Sequence, residues 1–294
     1  MRVTEKFHVW IRKLLFLAMF AESRYIYSAN PMRFIKYFTA LLLGVLCYLN
    51  SLARHTGRGD FYDSSKSYDF SPLWRSDSVL NLEYVDDTFY CNPKYFNFSE
   101  PLGFIGNNYQ RFYIHFTTVK KNKLNPYQYQ VIGKTKVKNN ICLFAGIITI
   151  DSACYDNDTT LHLPRNIRRG YVTCSCIFRE DTSCKNSGII TGFLCTDWCF
   201  YKGQLCYDNM EGVSDGYSNN EFEGQWKSYK GNIAKKCNWG NERIPNCGDL
   251  DVGAVEFSPD DKYLKNGWQS YRDQFKQTDE GRNARAIECA AWWK

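Results

Sequence analysis

The sequence predicts a mainly β protein, an antiparallel meander closing into a small barrel, with helices packed on it at the C-terminal end. Three observations carry this. Four strand-like runs each hold a glycine near the middle: Gln130–Val137 around Gly133, Leu143–Ile150 around Gly146, Gly188–Cys195 around Gly192, and Glu221–Trp226 around Gly224. β-Branched and aromatic residues surround each glycine and favour strand, while glycine inside a strand marks a sharp bend or a close neighbouring backbone. Four such bends within about a hundred residues suit a sheet coiling toward closure. From Gln110 the alternation is clean, with Phe112, Ile114 and Phe116 on one face and Arg111, Tyr113, His115 and Thr117 on the other, a half-buried strand. Finally, Leu264, Trp268, Tyr271 and Phe275 recur at helical spacing behind Ser258-Pro-Asp-Asp261, a capping hydroxyl, a first-turn proline and two acids at the positive end of the helix dipole.

Taken in order, residues 1–53 read as a leader. Met32-Arg-Phe-Ile-Lys36 is a short cationic opening, Tyr37–Asn50 is mostly apolar, and Ser51-Leu-Ala53 places small residues at −3 and −1 of a cleavage site. Either Met32 opens a cleaved signal, or Met1 is the start and residues 37–53 remain as a short membrane anchor; the small-residue site favours cleavage. Cys47 follows bulky Leu46, which disfavours lipid attachment. The chain has 37 basic and 31 acidic residues for a net charge of +6, and the leader holds seven basic against two acidic, so residues 54–294 carry 30 against 29. A nucleic-acid binder concentrates its cations on the folded part, so that partner class is excluded; membrane contact is expected only through an uncleaved leader.

Residues 54–106 read as an extended arm followed by short strands, 107–250 as the barrel-like core and 251–294 as the helical segment. Lys138-Asn-Asn140 reads as a hairpin turn. Tyr171–Arg179 reads as a strand with Val172, Cys174, Cys176 and Phe178 on one face. Arg282–Trp293 reads as a second short helix. Both helices need a sheet to lie on, so they are expected on the barrel.

Outside the leader there are twelve cysteines: Cys91, Cys142, Cys154, Cys174, Cys176, Cys184, Cys195, Cys199, Cys206, Cys237, Cys247 and Cys289. An even count behind an export signal favours disulfides, though spacing does not give the connectivity. Of the two closest pairs, Cys174-x-Cys176 and Cys195-x3-Cys199, only the second has zinc-like spacing, and no Cys-x-x-Cys redox motif occurs; no metal or cofactor is expected. His55, His115 and His162 read as surface residues. No Gly-x-Ser-x-Gly elbow or His-Glu-x-x-His accompanies them, so the sequence leans away from an enzyme. Asp197, Glu223, Asp249 and Asp251 lie near strand ends and offer a carboxylate pair for hydrolysis if the fold makes them converge. Asn97-Phe-Ser99 and Asn157-Asp-Thr159 match the glycosylation acceptor pattern.

Aromatic residues make up 17% of the chain. Trp198, Trp226 and Trp239 cluster around the glycine-bearing strands, as core or as a surface for an apolar or sugar ligand. Asn125–Asn140, Phe222–Trp226 and Lys236-Cys-Asn-Trp-Gly240 resemble exported cell-envelope proteins of gut-type bacteria, a resemblance that spans most of 61–294 and carries no function. The Gly-x-Trp ending at Trp226 is similar to that of calycin-type barrels, the lipocalin and avidin relatives, which implies a calycin-like barrel but not their ligands. Three functions follow as expectations: an exported binder of a small apolar or sugar ligand, a protein–protein module such as an enzyme inhibitor, and a carboxylate-based hydrolase. A cavity in the barrel would favour the first, a filled barrel with an exposed aromatic patch the second, and two carboxylates facing each other roughly 5–10 Å apart in a groove the third.

Overall fold

The computed structural model describes residues 58–75, 79–85, 88–96, 100–156, 163–164, 166–212 and 214–294, with the backbone alone for the segments between 79 and 96. The leader, His55, His162, the side chain of Cys91 and both glycosylation motifs lie outside the described residues.

The described residues form twelve strands: β1 (Val79–Val85), β2 (Thr88–Phe96), β3 (Leu102–Ile105), β4 (Gln110–Arg111), β5 (Tyr113–Lys121), β6 (Gln128–Val137), β7 (Asn140–Tyr155), β8 (Ile167–Glu180), β9 (Gly188–Tyr201), β10 (Gln204–Asn209), β11 (Asn219–Ser228) and β12 (Ala234–Asn241). The main path runs β4-β3-β12-β11-β9-β8-β7-β6-β5 with antiparallel neighbours throughout. β4 and β5 are consecutive pieces of one stretch, so the two ends of this strongly curled sheet meet. The seam is short: Phe104 faces Arg111, Ile105 faces Gln110, and Phe112 N donates to Gly103 O at 2.9 Å. A side branch leaves the path where β9 outruns β11. The last residues of β9 pair with β10, β10 pairs in parallel with β1, and β1 pairs with β2.

All four diagnostic glycines lie on antiparallel strands, as expected, and each serves an aromatic ring. Gly133 faces Phe144 across β6–β7, and Gly146 faces Phe178 across β7–β8. A Cβ on Gly146 would stand 2.6 Å from the Phe178 ring and would also press on the carbonyl of Ile177. The missing side chain lets the ring lie flat over its neighbour's backbone, and the strands curl around the rings thus admitted. Gly146→Ala is accordingly expected to cost about 1–3 kcal/mol through overpacking, read as a lowered urea midpoint.

The rings form a continuous interior stack. Phe144 and Phe178 are 5.2 Å apart, Phe178 and Phe222 6.4 Å, and Phe222 lies on Trp239 at 3.6 Å with planes 6° apart. The arm, expected to be extended, is instead folded into helix α1 (Tyr62–Ser65) and a 3-10 turn, Ser71–Trp74. It adds Phe61, Phe70, Leu73 and Trp74 to the same core. Main-chain and polar contacts fix it there: Phe61 N donates to Ala153 O at 3.0 Å, the Trp74 indole to Thr196 Oγ1 at 2.9 Å, and Asn220 Nδ2 to Leu73 O at 2.9 Å. The sequence gives no hint of this role because the arm's aromatic residues follow neither strand nor helix periodicity.

The C-terminal helices pack on the curled sheet, as expected, beside β3 and β4 and with bounds that differ from the expected ones. Asp260, not Ser258, caps the first turn, accepting from Lys262 N at 3.0 Å. Gly267 (φ 96°) ends that 3-10 turn in the left-handed region, where only glycine sits without strain. Helix α2 (Gln269–Asp273) follows, then α3 (Asp279–Glu288), capped by Thr278. Leu264 and Trp268 join Leu102 and Phe104 of β3, Leu250 and Phe257 in a second core outside the barrel, while Phe275 is 59% exposed. The segment also grips the β3–β4 turn: the Trp268 indole donates to Tyr109 O at 2.7 Å and Asn266 Nδ2 to Asn108 O at 2.6 Å.

Candidate interaction surface

An antiparallel strand with one face on the core ordinarily carries polar residues on the other. β7 does not. Its inward Cys142, Phe144, Ile148 and Ile150 are buried, and its outward Ile141, Leu143 and Ile147 are 43%, 48% and 38% exposed. Register extends the patch sideways. Ile132 of β6, 45% exposed, stands beside Ala145; Ile177 of β8 stands beside Ile147; and Phe193 of β9, 51% exposed, stands beside Ser175. Lys134 beside Leu143, Arg179 beside Ala145 and Glu223 beside Phe193 form a rim of both signs. Contiguous apolar surface rimmed by polar residues marks a binding face far more often than scattered exposure does. The sequence signal was present in Leu143–Ile150, apolar at nearly every position, but such a run also describes a strand buried on both sides.

The three tryptophans expected to offer a ligand surface are interior. Trp198 packs on Phe61 at 4.6 Å, Trp239 on Phe222, and the Trp226 indole donates to buried Glu180 at 2.9 Å. That carboxylate also accepts from Thr135 Oγ1 at 2.5 Å and Gly188 N at 2.9 Å, so from the end of β8 it ties together β6, β9 and β11. Between Trp74, Phe116, Leu194 and Trp239 a cavity of about 20 Å³ remains, edged by Glu100, Asn220 and Asn241. It has room for one water. His115, expected at the surface, is buried beneath the C-terminal tail, stacked on Trp293 at 4.0 Å with Nδ1 3.0 Å from Glu100 Oε1.

The carboxylates proposed as a hydrolytic pair belong to separate networks. Asp249 accepts from Tyr263 at 2.8 Å and pairs with Lys262 at 2.7 Å; Asp251 pairs with Arg243 at 2.5 Å; Glu223 accepts from Asn246 at 2.5 Å. Asp197 sits where the side branch leaves the barrel, and the charges acting on it are Asp208, Glu221, Arg169 and Asp156. Burial first, then Asp208 and Glu221, push its carboxyl up to about 7. Burial also raises Asp208, although Arg169 pairs with it at 2.6 Å. Asn219 ties the fork together: its Oδ1 accepts from Asp197 N at 2.9 Å, and its Nδ2 donates to Asp197 O at 3.1 Å and Asp208 O at 3.2 Å. This is a structural junction of β9, β10 and β11.

The expected disulfide bonds are not formed among the eleven described cysteines. Cys174, Cys176 and Cys237 are buried in the main core, where a thiol packs as a small apolar group. Among the described residues no group of three or more histidine, cysteine or carboxylate side chains is arranged to hold a metal ion, and no helix is long and apolar enough to cross a membrane. No family model matches the chain, and comparison with curated proteins and with solved structures returns no match.

Proposed function

We propose that the protein is a non-enzymatic interaction module acting outside the cytoplasm, which binds a partner protein through the outer wall centred on β7. The observation that carries this is the exposed apolar face of Ile132, Leu143, Ile147 and Phe193 on a barrel whose interior is filled. Small ligands need concave sites that enclose most of their surface, whereas this face is the outside of a curled sheet and the cavity beside Trp74 and Trp239 has room for about one water. A convex apolar patch suits a macromolecule. The rim of Lys134, Arg179 and Glu223 carries both signs, which fits the mixed surface of a protein better than an anionic lipid layer. Export is supported by the cationic and apolar run 32–53 and by the cysteine count.

The test places a photo-crosslinking residue at Ile147, and in a second strain at Lys227 on β11, in cells producing the protein. A defined adduct with one other protein at 147 and none at 227 is expected. Equal labelling at both positions, no adduct at 147, or an adduct only to lipid or to a second copy of the chain overturns the reading.

A further inference from the structure

We propose that Cys142–Cys184 and Cys199–Cys206 are two disulfide-forming pairs of this chain, closed during folding by exchange with a low-molecular-weight disulfide. Cys199 on β9 lies directly opposite Cys206 on β10. Facing residues of antiparallel strands have Cα atoms about 4.5 or 5.5 Å apart, and both values fall within the roughly 4.4–6.8 Å that a disulfide spans. The register is pinned by the two-residue turn Lys202-Gly203, with both φ angles positive at 51° and 80°, the geometry that matches strand twist in a tight hairpin. The Cys199 thiol donates to the carbonyls of Cys206 and Tyr207, each at 3.9 Å, and both thiols lie inside a small core with Ile167 and Met210.

Cys142 and Cys184 meet differently. Cys142 is the third residue of β7, and Cys184 lies in the loop between β8 and β9, held by its N–H on Asp181 O at 3.0 Å. The Cys184 thiol reaches the carbonyl of Ile141, the residue before Cys142, at 3.8 Å, and Asn140 Nδ2 donates both to Cys142 Sγ at 3.3 Å and to the carbonyl of Lys185, the residue after Cys184, at 2.9 Å. By contrast, Cys174 and Cys176 are successive inward positions on β8, with side chains parallel along one strand, and Cys237 lies three strands further round the sheet. No bond among those three is compatible with this barrel.

The chemistry balances without a metal. One protein thiolate attacks the reagent disulfide, forming a mixed disulfide and releasing one reagent thiol. The second protein thiolate displaces the other reagent thiol and forms the S–S bond. Two protein S–H groups are oxidised, one reagent disulfide is reduced to two thiols, and the two protons pass to those thiols. Burial pushes the Cys142 thiol up to about 12 and Cys199 well above its ordinary value, so exchange is slow once the barrel has closed.

The test refolds the reduced chain with oxidised and reduced glutathione, blocks remaining thiols, and maps linked peptides by mass spectrometry. The expected result is linkage of 142 to 184 and of 199 to 206, with 174, 176 and 237 blocked as thiols and a urea midpoint above that of the reduced chain. Cys199→Ser/Cys206→Ser is expected to retain the 142–184 link. A pair fully alkylated after oxidative refolding is overturned as a disulfide pair, as is one found linked to any other cysteine, Cys91 included. Loss of the 142–184 link in the double variant overturns the independence of the two bonds.

Discussion

Replacing Asp197 with Asn is expected to stabilise the protein above pH 7 and to flatten its stability between about pH 4 and 7. The Asp197 carboxyl has a folded pKa of about 7 against an ordinary 3.8. Between those values the folded chain keeps a proton that the unfolded chain has released. The stabilisation is therefore fully present below the unfolded pKa and is lost as pH rises through the folded one. A gap of about three pKa units corresponds to at most ~4 kcal/mol, part of which comes from the nearby charges of Asp208 and Glu221. Asn cannot ionise and presents an NH2 group to those carboxylates, so its gain over the wild type grows from pH 5 to pH 8. Urea titrations at both values check this; a gain independent of pH would show that Asp197 is not the titrating group.

Arg111→Ala is expected to cost about 3–5 kcal/mol, the usual consequence of leaving one half of a buried ion pair. Arg111 is 3% exposed and pairs with Glu288 of α3 at 3.4 Å. Its guanidinium lies 4.2 Å from the ring centre of Trp268, 4.8 Å from Tyr113 and 5.3 Å from Tyr271. Nε and Nη1 find no hydrogen-bond partner among the described residues, so the rings supply much of what solvent would. Lysine is not expected to rescue the site, because a compact ammonium lacks the plane that stacks on rings. Arg111→Met/Glu288→Leu is expected to recover most of the loss. Urea midpoints, with limited proteolysis following release of the C-terminal segment, read both outcomes.

The strand pattern was legible because it is local: alternation at Gln110–Thr117 and the four glycine-bearing runs each report on their own backbone. What was hidden depends on pairing across distance. The arm was read as extended, since nothing near Phe61 or Trp74 reveals that Ala153, Thr196 and Asn220 receive it. His115 sits on the outward side of its strand, and only the return of Trp293 to that side buries it. The apolar outer face of β7 was visible as composition but not as exposure, because exposure depends on whether another layer covers it. The helical spacing of Leu264, Trp268, Tyr271 and Phe275 likewise does not show that the left-handed backbone of Gly267 divides the segment in two.

The shortness of the β3–β4 seam has a consequence for how the molecule is made. Two facing residue pairs are too few to hold the ends of a curled sheet together, so the clamp at Asn108 and Tyr109 by Asn266 and Trp268 must bear much of that load. Those clamping residues emerge from the ribosome after every strand they secure. A nascent chain that has completed its last strand still presents an unsealed edge, and the vessel is shut only when the final segment arrives to fasten it.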